Sequence, residues 1–179
     1  MRALIVVLGD FGRSPRMQYH ALALANGGIE VDVVGYEGAA PFRAVSEHPH
    51  IKLRLIAPLS QREQPRLPLF VFVALASARI AAQGLRMLWM MLRLQKPDVM
   101  LVQNPPAIPT LLICLIAARI RSSKLVIDWH NFSYSMLALR LGEERLMVRM
   151  VRALEMALGR RADAHLCVSR AMRTELAER

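Results

Sequence analysis

The sequence predicts an α/β protein: one parallel sheet with helices on both faces, in a Rossmann-like layer arrangement. Three observations carry that expectation. Apolar runs of strand length alternate with longer helical stretches along the 179 residues. The runs are dense in Val, Ile and Leu without sustained apolar/polar alternation, as in strands covered on both faces. The length suits one domain, 1–179, with enough chain to bury a core without disulfide staples.

The first strand is expected over 3–8. This run is shorter than a signal-peptide core, and Gly-Asp-Phe-Gly follows it in place of a cleavage site. A helix is expected over 15–26, with Ser14 as its cap and Pro15 at its first position. Gly27 and Gly28 can end it in a left-handed turn. Strands at 31–34 and 51–56 come next, joined by a long loop at 37–49 in which no helix is expected. A softer loop is placed at 60–66 and a long helix at about 68–94. A strand at 99–102 and a helix at about 107–120 follow. Residues 99–118 carry no charge, but Gln103-Asn-Pro-Pro106 and Pro109 interrupt them. Unpaired backbone at that depth in lipid is costly, so a strand followed by a buried helix is expected. Strands at 125–127 and 165–168 and helices at 143–160 and 170–178, the last capped by Ser169, complete the order. In the 143–160 helix, Glu143 and Glu144 with the arginines after them are expected to form i,i+4 pairs.

Composition narrows the function. At 54% hydrophobic and 21% charged the chain is not disordered. Two cysteines exclude a disulfide scaffold; Cys114 and Cys167 are expected as buried thiols. His48-Pro-His50 lacks a clear third ligand, so no metal is expected. Lys+Arg 24 against Asp+Glu 14 gives a net charge of +10, which calls for an anionic partner. Among phosphate groups, anionic lipid and nucleic acid, nucleic acid is the least favoured, because no nucleic-acid motif appears and the arginines are dispersed. Arg79, Arg86 and Arg93 recur every seven residues beside Trp89 and several methionines, a stripe suited to a lipid surface or to the solvated side of a core helix.

The candidate site residues lie at strand ends, where open α/β sheets bind ligands. Gly9-Asp-Phe-Gly-Arg-Ser-Pro-Arg16 follows the first strand and opens the first helix. Gly9, Gly12, Arg13, Ser14 and Arg16 read as a phosphate-contacting turn at a helix amino end, or as a plain tight turn. It is neither a dinucleotide fingerprint nor a P-loop. Gln103 and Asn104 beside two prolines read as a stiff strand-to-helix loop or as a rigid polar rim for sugar hydroxyls. Asp128-Trp-His-Asn131 supplies a carboxylate, an imidazole and an amide; Phe132 and Tyr134 add an aromatic edge. His130 suits general acid/base work. Glu155 is a weaker candidate within its helix.

The strings at 7–22 (VLGDFGRSPRMQYHAL), 103–106 (QNPP), 124–135 (KLVIDWHNFSYS) and 166–173 (LCVSRAMR) resemble the chitobiosyldiphosphodolichol β-mannosyltransferase family. The resemblance implies the amino-terminal half of a GT-B glycosyltransferase. It implies mannose transfer from GDP-mannose, with inversion, to the chitobiose head of a dolichyl diphosphate lipid, without a metal or other cofactor. It places the reaction on the cytosolic face of the endoplasmic reticulum membrane. The chain is expected to lack the carboxyl-terminal donor domain and the amino-terminal membrane helix that members often carry. Its attachment to the membrane would then be peripheral. The alternative is a non-catalytic, lipid-acceptor-binding subunit working with a separate donor-domain chain. Asp10 is the first candidate for the base and His130 the second, with Asp128, Asn131 and Tyr134 contacting the acceptor.

Overall fold

The computed structural model describes residues 1–57 and 69–178. The loop expected at 60–66 and the start of the long helix at 68 lie outside those residues. Six strands form one parallel sheet in the order β3-β2-β1-β4-β5-β6. They are β1 (Arg2–Asp10), β2 (Glu30–Tyr36), β3 (Ile51–Ile56), β4 (Val99–Asn104), β5 (Lys124–Trp129) and β6 (Ala164–Cys167). The helices are α1 (Pro15–Asn26), α2 (Arg43–Ser46), α3 (Leu69–Arg93), α4 (Thr110–Arg121), α5 (Ser133–Leu141), α6 (Leu146–Gly159) and α7 (Arg170–Ala177).

The chain winds outward from β1 through β2 to β3, then returns through α3 to the other side of β1. The β1/β4 boundary is therefore the point where strand order reverses, the usual crevice for a ligand in such sheets. Two apolar cores flank the sheet. Phe11, Met17, Ala21 and Val45 pack with Ile5, Val7 and Val33 beneath α1 and α2. Met87, Met91, Leu111, Cys114 and Met156 pack with Leu4, Val6, Val102 and Trp129 beneath α3, α4 and α6.

The expected α/β layering is observed, with corrections at several points. Strands β1, β4 and β5 each continue two residues past their apolar runs, because ladder pairing does not depend on side-chain type. Asp10, Asn104 and Asp128 therefore sit on strands rather than in loops. A four-residue helix, α2, lies inside the segment expected to be a loop. Helix α5 was not anticipated, and its amino end is fixed by a distant carboxylate that local sequence does not reveal. Helix α6 begins at Leu146, so Glu143 and Glu144 precede it and their expected i,i+4 pairs are not helical contacts. Ser14 makes no side-chain cap bond; its hydroxyl donates across to β4 instead. Ser169 does cap α7, accepting from the Met172 amide. Gly28 takes the left-handed conformation (φ 77°) after α1. Cys114 is buried, which pushes its thiol up to about 12, whereas Cys167 is only half-buried.

Candidate active site

Strand alternation sorts the residues at the carboxyl edge. Gln103 pairs with Asp128 in register, and Asn104 with Trp129. Successive strand side chains point to opposite faces. Gln103 and Asp128 therefore meet α1, while Asn104 and Trp129 meet the α6 layer. The two halves of the expected polar rim are thus separated by the sheet itself.

On the α1 side Asp128 is the pivot. Its carboxylate is fully buried. Arg16 grips it with both faces of its guanidinium fork, Nε to Oδ2 at 2.7 Å and Nη2 to Oδ1 at 2.8 Å. His130 Nε2 lies 2.9 Å and His20 Nε2 3.1 Å from the same Oδ2. An ionised carboxylate only accepts, so both imidazoles present an N–H there. Burial alone would raise the pKa of Asp128. The hydrogen bonds from His20, Arg16 and His130 outweigh it and hold the acid well below the usual carboxylate range. Each imidazole thus has its Nδ1 turned away from the carboxylate, and in the neutral ring that is the nitrogen with the lone pair. Ser14 Oγ donates to Gln103 Oε1 at 2.5 Å and joins the β1–α1 turn to β4.

Asp10 has a different surrounding. Its Oδ1 accepts from the Gly12 amide at 3.0 Å, and its Oδ2 accepts from the Ala39 amide at 2.9 Å. Arg13 Nε lies 3.3 Å from that Oδ2. The carboxylate caps the short 3-10 turn Phe11–Arg13 and staples it to the loop after β2. Two glycines permit this crossing. A Cβ on Gly12 would overlap the Ala39 carbonyl, and one on Gly38 would overlap the Asp10 carboxylate. Gly9, by contrast, faces open space. Arg13 is the exposed cation of the turn, with its side chain 82% accessible.

On the α6 side, Asn104 is fully buried rather than part of an open rim. Its Nδ2 donates to Glu155 Oε1 at 2.6 Å and to the Asn131 carbonyl at 3.3 Å. Glu155, also fully buried, accepts from the Ser133 amide at 2.9 Å and the Tyr134 amide at 3.1 Å. It caps α5 from another helix, a favourable place for a negative charge. The Tyr134 hydroxyl donates to Glu175 at 3.2 Å, and its ring stacks on Phe132. Burial, with the nearby Glu175 charge, raises the Tyr134 phenol to about 12. Tyr134 lines a cavity of about 720 Å³ between α5, α6 and α7, together with Phe132, Arg149, Arg152 and Met172. Asp10, Arg13, Gln103 and His130 do not line that cavity.

The structure therefore unites Ser14, Arg16, Gln103, Asp128 and His130. It places Gly9, Asp10, Gly12 and Arg13 on the adjoining turn and turns Asn104 inward. Arg16, expected on phosphate, spends two nitrogens on Asp128. Asp128, expected on a sugar, is enclosed by its three donors. Asn131 is exposed at the end of this edge. His20 was missed, although it follows Arg16 by four positions and so shares its face of α1. Among the described residues no cluster of three or more His, Cys, Asp or Glu could hold a metal ion.

A doubly wound parallel sheet with a charged cluster at the carboxyl ends of its strands, beside the reversal point, has the form of a ligand-binding α/β domain. The chain belongs to the glycosyl transferase 4-like family, whose domain matches residues 12–179. Among curated relatives, it is 42% identical over 181 residues to the UDP-glycosyltransferase TURAN of Arabidopsis thaliana, covering 98% of this chain and 38% of that protein. It is 42% identical over 170 residues to the chitobiosyldiphosphodolichol beta-mannosyltransferase of Yarrowia lipolytica, covering 94% of this chain and 36% of that protein. The Homo sapiens protein of the same name is 35% identical over 173 residues, with 97% of this chain and 36% of that protein covered. The chain thus spans little more than a third of the length of these relatives. The resemblance read from the four sequence strings is borne out by them.

The fold is also that of one half of solved GT-B glycosyltransferases. Glycyrrhiza uralensis UGT73P12, complexed with glycyrrhetinic acid 3-O-monoglucuronide, superposes with a TM-score of 0.59 at 11% identity, covering 99% of this chain and 46% of that one. Arabidopsis thaliana UGT89C1 gives a TM-score of 0.56 at 15% identity, covering 99% and 45%.

Proposed function

We propose that this chain forms the acceptor-side half of a hexosyltransferase. The enzyme moves mannose from GDP-mannose, with inversion, to the chitobiose head of a dolichyl diphosphate lipid. The names of the relatives supply the substrate class, and the Asp128–His130 pair at the carboxyl end of β5, one strand from the reversal point, is the observation that carries the mechanism. The acceptor hydroxyl oxygen bonds to the anomeric carbon of mannose as the bond from that carbon to the nucleoside diphosphate breaks. The diphosphate leaves with the electron pair, and the hydroxyl proton passes to His130 Nδ1. Asp128 holds the ring with Nε2–H toward itself and stabilises the imidazolium that forms. Arg16 and His20 keep Asp128 ionised and fixed. Asp10 shapes the turn, and exposed Arg13 with the amino end of α1 meets the diphosphate of the acceptor. Gly9, without a side chain, lets that group approach the backbone. The reading includes no metal, as the family resemblance implies. The reading sites the reaction at the endoplasmic reticulum membrane, on its cytosolic face, as the family resemblance implies.

The names of the relatives differ in one chemical respect: one specifies a UDP-linked donor, the others a mannosyl product. A transfer assay on a diphosphate-linked chitobiose lipid settles this for the present chain. It uses the chain alone, mixed with a separately made donor domain, and joined to one. Transfer from GDP-mannose and not from UDP-glucose supports the reading. The reverse preference, or an equal rate on chitobiose lacking its diphosphate, overturns it. Activity only in the mixed or joined form identifies this chain as a lipid-acceptor-binding part.

A further inference from the structure

The outer surface of the α3–α4–α6 layer is apolar where a solvated surface should be polar. Helix α4 packs against both α3 and α6, so the three helices form one continuous face. The side of α6 turned away from the core carries Leu146, Met147, Met150, Ala153, Leu154 and Ala157, with Met150 62% exposed. Ile108, Leu112, Ile116 and Ile120 recur every fourth residue and line the exposed side of α4 and its entry. Leu85 and Trp89 stand out from α3, and Arg93 lies over the Trp89 ring at 4.0 Å. A helix that is apolar on every side belongs in an apolar environment, and exposed patches of this extent mark a partner's surface.

Charge selects the partner. Arg79, Arg86, Arg93, Arg119 and Arg149 are exposed on these three helices. Their only acidic residue is Glu155, and it is buried. Apolar side chains interleaved with arginine and an interfacial tryptophan match the chemistry of an anionic bilayer surface: tails for the Leu, Ile and Met groups, headgroup phosphates for the guanidiniums. No helix among the described residues is long and apolar enough to cross a membrane. The geometry is that of a face lying on the bilayer rather than a span.

We infer that the α3–α4–α6 face docks on an anionic lipid bilayer. The inference rests on the proposed function in one respect: a lipid-linked acceptor must be reached at the same bilayer. Docking extends the sequence reading of α3 alone to three helices. It is tested by sedimenting the chain with vesicles of phosphatidylcholine containing phosphatidylserine, and with phosphatidylcholine alone, neither holding any acceptor. The expected result is binding that weakens with salt and falls about tenfold or more in Ile116→Asp/Met150→Asp and in Arg86→Glu/Arg149→Glu. Arg43→Glu, on the opposite layer, should bind as the unaltered chain does. All these positions are exposed, and far-ultraviolet circular dichroism checks folding. Binding unchanged in both double variants overturns the inference. So does the absence of vesicle binding, or a soluble dimer that the apolar-to-Asp variant dissolves, since a second copy would then own the face. Mannose transfer to a short-chain, water-soluble diphosphate acceptor is measured in parallel. Its failure with vesicle binding intact strikes the proposed function and leaves the docking face standing.

Discussion

The two faces of the sheet are finished in opposite ways. Beneath α1 and α2 the buried apolar layer gives way at its edge to paired charge. Asp128 is held there by Arg16, His20 and His130. On the other side helices α3, α4 and α6 interleave exposed apolar groups with arginine, and their one acidic residue, Glu155, is spent on backbone amides and Asn104. The first face is built to hold a buried carboxylate in its ionised form. The second is built to be covered. One Rossmann-like layer can therefore carry chemistry at its edge and a docking surface on its back without the two competing for residues.

The comparison can be broken first at its charged side. Asp128→Ala should cost about 3 kcal/mol, because three donors lose a buried acceptor; Arg16, about a third exposed, recovers part of this by rehydration. Urea unfolding of the unaltered and variant chains measures it, and a loss below about 1 kcal/mol would show that the cluster is not a keystone. Glu155→Ala should cost about 2 kcal/mol, leaving the α5 amino end and the Asn104 amide unpaired inside the protein. Glu155→Gln should recover part of that loss, since its amide oxygen still accepts. Hydrogen exchange at the Ser133 and Tyr134 amides should quicken with the alanine variant. Gly12→Ala should cost about 1–3 kcal/mol, because the added methyl meets the Ala39 backbone rather than a flexible side chain.

The smallest effect is a pH dependence. Trp129 Nε1 donates to His165 Nδ1 at 3.0 Å, so that nitrogen must keep its lone pair. Partial desolvation of its ring lowers the pKa of His165 in the folded chain, although the residue stays exposed on the edge strand. The unfolded chain then binds the extra proton more readily. The contribution of His165 is complete above the ordinary histidine value of about 6.5 and declines as pH falls from there toward the folded value. Asp128 behaves oppositely in range: its contribution is whole above about 4 and is lost only as pH drops toward its depressed folded value. Thermal midpoints should therefore fall modestly between pH 7.5 and 5.5. His165→Asn should flatten that slope, and an unchanged slope would remove His165 as its source.

Sequence reasoning reached the sheet, the identity of its strands and the loops that carry the site, because those depend on local apolar runs and on proline and glycine. It did not reach the division of the site. Gln103 and Asn104 look alike as neighbours in a chain, yet register sends one to Arg16's side and the other to Glu155. The partnership of His20 with Asp128 spans 108 positions and is visible only once α1 lies across β5. Arg13 and Arg16 read as equivalent cations, but only Arg13 is left largely exposed. Helix α5 escaped notice for the same reason: what starts it is Glu155, supplied by α6.

The most direct test of the charged edge is single-turnover mannose transfer by a chain joined to a donor domain, comparing His130→Gln with the unaltered form. The account predicts a rate about 10²-fold lower, with the thermal midpoint preserved. A folded His130→Gln variant that transfers mannose at an undiminished rate would contradict it.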